Sequence, residues 1–206
     1  MIISAISPFA PRKACQPKAP SSNPSFNGWG KLYSAEMSMW QADKISKDFL
    51  LPKLKGKVNS LCDLGCGNAG PTAVLAYDFG IPLRKAVGVG NHAPYGNGHV
   101  IKYHRQDMLR YLDETDESFD LISLCRPCLS NNVRVPELID AANKRLTKDG
   151  HFFTYGENFE MYEYIKACQA KGIECDVKKY DWPDMINYQS NDPYNLYAVL
   201  IPKFGA

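Results

Sequence analysis

No apolar run in the chain approaches the ~20 residues that a membrane-spanning helix requires. Charge of one sign is also missing. The net charge is +2 and no run of Lys or Arg occurs, so nothing marks a binder of nucleic acid or of another polyanion. The opening stretch MIISAISPFAPRK has no basic segment ahead of its short apolar part, and no secretory leader is expected. No internal repeat is visible. The seven cysteines are an odd number, and Cys62 and Cys66 fall where a disulfide framework makes little sense, which points to a reducing, cytoplasmic setting. Cys125 and Cys128 form the only C-x-x-C, with no second pair and no nearby pair of histidines, so no metal site is expected.

What remains is an ordinary globular composition, 45% hydrophobic and 22% charged over 206 residues, enough for one domain with a substantial core. Residues 1–28 are rich in Pro, Ser, Ala and Lys without helical or strand period and read as a mobile tail. Residues 29–54 turn helical through an incomplete apolar stripe of Leu32, Met39, Trp40, Ile45, Phe49 and Leu50, which Pro52 is expected to close. Residues 29–56 are read as a helical segment, suited equally to pack on a sheet edge and to cover a site as a lid.

From Lys57 onward short apolar strands alternate with helical stretches. Strands are expected at 58–64, 85–89, 99–104, 119–124, 151–155, 173–178 and 196–201. Helices are expected at 72–79, 108–113, 136–146 and 159–171. Lys148-Asp149-Gly150 reads as a turn, Gly172 as a left-handed helix stop and 179–195 as a loop. Tyr162 is placed on a core-facing side of its helix and Tyr155 at a strand mouth. Such alternation defines an α/β fold with a mostly parallel sheet and helices on both faces.

The chemistry concentrates in residues 60–76, SLCDLGCGNAGPTAVLA. A strand runs into a glycine-rich turn and then a helix. Glycines let backbone approach a ligand closely, and a helix start presents unsatisfied N–H groups. The turn is G-x-G-x-A (Gly65, Gly67, Ala69), with Asp63 just before it.

These residues resemble motif I of the class I methyltransferases, which depend on S-adenosylmethionine (SAM). The order of elements from Lys57 to the end is similar to that Rossmann-like fold, as are Gln106-Asp107-Met108 after the third strand and Phe119-Asp120-Leu121-Ile122 opening the fourth. The resemblance implies a seven-stranded, mostly parallel sheet with an antiparallel last strand, and SAM as cofactor. It implies that Asp63, Gly65, Cys66 and Gly67 hold its amino-acid end, that Asn91 lies near the ribose, and that Asp107 and Met108 lie near the adenine. Asp107 is equally suited to cap a helix, and Asn91 to sit in a turn. The implied acceptor is a small molecule or a protein side chain.

Two further features bear on the reading, the first a departure from the family. An acidic residue usually ends its second strand and bonds the ribose; here Gly90 takes that position, followed by Asn91. The departure keeps open a methyltransferase-fold protein that binds without catalysis. Second, Pro127-Cys128 after the fourth strand and Glu157-Asn158 after the fifth resemble motifs of cytosine C5 methyltransferases, in which a thiolate attacks the base. Cys128 and Glu157 are therefore the candidates for catalysis, under a reading as a small nucleic-acid methyltransferase that the low net charge disfavours.

Overall fold

The computed structural model describes residues 39–125, 134–186 and 193–205; of residues 158, 159, 181–186, 193 and 194 it describes the backbone alone. The tail expected over residues 1–28 and the first part of the 29–56 segment lie outside the described residues, as does Cys128.

The first helix, α1, covers residues 39–54. Its middle widens into a π-helical turn, Ser46–Leu50, and its last turn is Leu51–Leu54. The helix ends at Leu54, the bound expected from the sequence, with Pro52 inside its last turn. Proline lacks an N–H and clashes one turn back, but here it stands at the start of the last turn, where the widened backbone ahead absorbs it.

Four strands then alternate with helices: β1 (Leu61–Leu64), α2 (Gly70–Asp78), β2 (Val87–Gly90), β3 (Lys102–Arg105), α3 (Met108–Glu114) and β4 (Phe119–Cys125). The remainder is α4 (Val135–Arg145), β5 (Leu146–Glu157), α5 (Asn158–Ala170), β6 (Asp176–Ile186) and β7 (Pro193–Pro202). The seven strands form one sheet in the order β3-β2-β1-β4-β5-β7-β6. Strands β1 to β5 pair in parallel, and β7 runs antiparallel between β5 and β6. This is the sheet expected from the sequence, with the last strand reversed.

Alternation along the strands builds two cores. Leu61, Leu121, Phe153, Tyr155 and Leu200 point to one face, where Ile45, Phe49, Leu50 and Leu54 of α1 and Val74 and Leu75 of α2 cover them. Cys62, Leu64, Val87, Ile122, Phe152 and Val199 point to the other, under Tyr111, Leu112, Leu138, Ile139, Met161 and Tyr164 of α3 to α5. Burial on both faces explains why the central strands, such as β1 and β4, read as nearly continuous apolar runs.

Several expectations are corrected. The Lys148-Asp149-Gly150 turn is absorbed into β5 as an irregularity: Phe119 pairs with Leu146 and Leu121 with His151. Gly150 is required there, since a Cβ would lie 2.9 Å from the Phe119 carbonyl oxygen. Of the loop expected over 179–195, residues 179–186 belong to β6 and 193–195 to β7, and 187–192 lie outside the described residues. Tyr162 is 58% exposed, since the buried stripe of α5 is Met161, Tyr164, Ala167 and Cys168. Tyr155 is fully buried rather than at a mouth, its ring 5.9 Å from that of Phe153. Gly172 does stop α5 as expected, at φ 65°. Among the described residues no helix is long and apolar enough to cross a membrane.

Since α1 contributes four large buried side chains to the core, Leu50→Ala should lower stability in urea by about 2–5 kcal/mol. A loss below about 1 kcal/mol would mean that the helix is not part of the core.

Candidate functional site

The order of the strands reverses between β1 and β4, leaving a crevice at their carboxyl ends. The glycine-rich turn joins β1 to α2 at that crevice. Gly65 and Gly67 adopt φ 64° and 53°, in the left-handed region that glycine enters at no steric cost. Ala69 follows at φ 55° as the residue before α2. Its methyl group makes that conformation costly, by about 1–2 kcal/mol, so alanine in place of the third glycine affects the backbone and not only helix packing.

Asp63, at the end of β1, is completely buried. Its carboxylate accepts a short hydrogen bond from the Thr72 hydroxyl of α2 and another, 2.8 Å, from the Ser123 hydroxyl of β4. Burial pushes its pKa up to about 6, against the lowering pull of those two hydroxyls. Each carboxylate oxygen therefore has a partner inside the protein, and the side chain joins β1, α2 and β4 from beneath the turn.

Cys66 is likewise turned inward. Its N–H donates to the Val89 carbonyl at 3.0 Å, and a Cβ on Gly88 would lie 2.8 Å from its sulfur. Burial raises its thiol above the ordinary range. Its main-chain donor and its side chain are both committed to β2. Asn68 accepts from the Gly70 N–H at 3.0 Å through its side chain, and Pro71 has no N–H to give. The start of α2 is thus partly satisfied from within, which leaves recognition mainly to the turn.

The connection from β2 to β3 folds toward the turn. The Asn97 N–H donates to the Asn68 carbonyl at 2.9 Å, and a Cβ on Gly67 would lie 3.5 Å from the Tyr95 hydroxyl. Met39 of α1 packs against Gly70, where a Cβ would stand 2.6 Å from its Cγ. Sequence reasoning singled out neither Tyr95 nor this contact of Met39, because neither belongs to a local motif.

Asn91 is exposed just past β2, and its carbonyl accepts from Arg105 Nε at 3.4 Å. Asp107 caps α3: its Oδ1 accepts from the Leu109 and Arg110 N–H groups at 3.0 and 3.1 Å. Met108, the first residue of α3, packs partly against the core under that helix. Glu157 ends β5, half-buried, at the same carboxyl edge of the sheet. Asp63, the turn, Asn91, Asp107 and Glu157 thus share one end of the sheet. Among the described residues no group of three metal-ligating side chains comes together.

A cleft of about 780 Å³ lies at the opposite end, lined by Lys57, Asn59, Asp120, Lys148, His151 and Lys203 among others. It is polar and surrounds Asp120, whose carboxylate is held by the Asn59 N–H and the Thr147 hydroxyl. None of the residues singled out for the cradle lines it, and the strand-order argument favours the carboxyl end.

Strand order, reversed last strand and glycine-turn position together define the fold of the class I SAM-dependent methyltransferases. Solved structures agree. The plantazolicin methyltransferase in complex with SAH superposes with a TM-score of 0.59 at 15% identity, over 89% of this chain and 92% of that one. Geranyl diphosphate C-methyltransferase from Streptomyces coelicolor gives 0.58 at 13% identity, over 89% and 86%. A precorrin 8w decarboxylase from Methanobacterium thermoautotrophicum gives 0.55 at 12% identity, over 78% and 90%. No family model matches the sequence, and no curated protein matches it.

The raised Asp63 pKa has a definite sign. Between its ordinary value of 3.8 and about 6 the folded protein holds a proton that the unfolded chain has lost, so this group's stabilisation is present below 3.8 and is lost as pH rises through 6. Asp63→Asn should therefore cost most near pH 4 and about 2–3 kcal/mol less at pH 7, measured by urea unfolding across that range. A cost independent of pH would show that the carboxyl titrates normally.

Proposed function

We propose that the protein is a SAM-dependent methyltransferase acting on a small-molecule or protein acceptor. The observation that carries this reading is the left-handed G-x-G-x-A turn at the strand-order switch, anchored from below by the Asp63 carboxylate. A turn of bare backbone beside a helix start fits the amino-acid end of a nucleoside ligand. The neighbours named above support the reading at the level of fold.

In this reading Gly65 and Gly67 receive the amino-acid end of SAM. Asp63 and Cys66 hold the turn in shape from within. Asn91 serves the ribose side, and Asp107 and Met108 the adenine side, Asp107 through the carboxylate oxygen not used by its helix cap. SAM supplies, when bound, an activated methyl group. The protein's part is to align an acceptor nucleophile and to exclude water, work that needs no obligatory acid or base from the chain. The segment containing Met39 is the cover nearest the turn. Glu157 is positioned for the acceptor side, and Cys128 is kept as a candidate from the sequence alone.

Calorimetric titration with SAM and with S-adenosylhomocysteine tests the reading, with micromolar binding expected. Asp107→Ser separates the two roles of Asp107, because serine preserves the cap. It should leave stability within about 0.5 kcal/mol yet weaken binding several-fold. Absence of binding by the unaltered protein would refute the reading. Binding without transfer to any acceptor would favour the non-catalytic alternative.

A further inference from the structure

The second strand ends in Gly90, which carries no side chain toward the crevice. The space is nevertheless filled. A Cβ built on Gly90 would lie 2.6 Å from the Tyr103 hydroxyl and 3.4 Å from the ring carbon that bears it. Tyr103 comes from the neighbouring strand β3, pairing with Gly88. Gly98 lies beside its ring, where an added Cβ would stand 3.6 Å away.

The hydroxyl is oriented as well as placed. It donates to the His92 carbonyl at 2.8 Å. That bond commits the only proton of the phenol and leaves its oxygen able to accept. Burial, chiefly, raises the pKa of the phenol, with Arg105 pulling the other way, so the group is neutral at ordinary pH. An oriented neutral acceptor at the end of β2 suits a ligand hydroxyl that arrives as donor.

We propose that the Tyr103 hydroxyl is a ribose-recognising group of this site beside Asn91, reaching from β3 into the position that Gly90 leaves open. This inference rests on the reading of the site as a SAM cradle. It accounts for two observations together: glycine at the end of β2, where any larger residue would come against Tyr103, and a tyrosine whose only proton is committed to the His92 carbonyl. The sequence does not announce it, because Tyr103 lies thirteen positions beyond Gly90 and on another strand.

The test is a cycle of binding measurements with S-adenosylhomocysteine and its 2′-deoxy and 3′-deoxy forms, on the unaltered protein and on Tyr103→Phe. The phenylalanine variant keeps the ring and so the packing. It should bind S-adenosylhomocysteine about fivefold more weakly, the worth of one neutral hydrogen bond. Against the deoxy form that lacks the partner hydroxyl, the loss should shrink to less than about twofold. An equal loss for all three ligands would assign Tyr103 a structural role in holding the loop and overturn the inference. Tighter binding by the variant would also overturn it, since the hydroxyl would then obstruct the site. If the unaltered protein binds none of the three, the cradle reading itself fails, an outcome distinct from binding without coupling.

Discussion

The fold around the site depends on one buried carboxylate. Asp63 has no contact with solvent, and its two oxygens bind hydroxyls from different elements, Thr72 on α2 and Ser123 on β4. A carboxylate removed from water is costly unless its hydrogen bonds are replaced. These two bonds replace them in part, and burial still leaves the pKa raised. In return, β1, β4 and the start of α2 are pinned to a single point. The glycine turn between them then has little freedom, and its left-handed residues are held even where one is an alanine. Asp120 shows the opposite balance at the other end of β4. There the Asn59 N–H, the Thr147 hydroxyl and Ser60 outweigh the effect of burial and hold the carboxyl below its usual range.

Much of this was legible in the sequence, for identifiable reasons. Strands buried on both faces are continuous apolar runs, and helices between them end at glycine or begin near proline, so the order of elements could be read directly. Gly65 and Gly67 could be placed because a strand, a turn and a helix follow in immediate succession. Errors arose where tertiary context decides. Lys148-Asp149-Gly150 has turn chemistry, but the pairing of β4 with β5 continues through it as an irregular stretch. Tyr162 and Tyr164 are equally plausible core residues by composition, and only the phase of α5 on the sheet buries the second.

The site was less legible than the fold, because side chains that share a cleft need not share a motif. By motif Asp63 is a ligand-facing group, whereas its oxygens are engaged with neighbours that lie 9 and 60 residues away. Tyr95 and Tyr103 carry no signature of their own. They reach the cradle because the β2–β3 connection contains only a short 3-10 turn, Gly96–His99, and therefore stays close to the glycine turn. A longer crossover helix there would place a wall, not a loop, beside the crevice.

The central claim is that ligand recognition belongs to the carboxyl end of the sheet, at the turn that Asp63 anchors, and not to the polar cleft at the amino end. Backbone amide shifts on adding S-adenosylhomocysteine, followed by heteronuclear NMR, decide between the two most directly. Changes concentrated at residues 65–69, 90–92 and 105–108 are the predicted result. Changes confined to Lys57, Lys148 and His151, or no changes at all, would contradict the account.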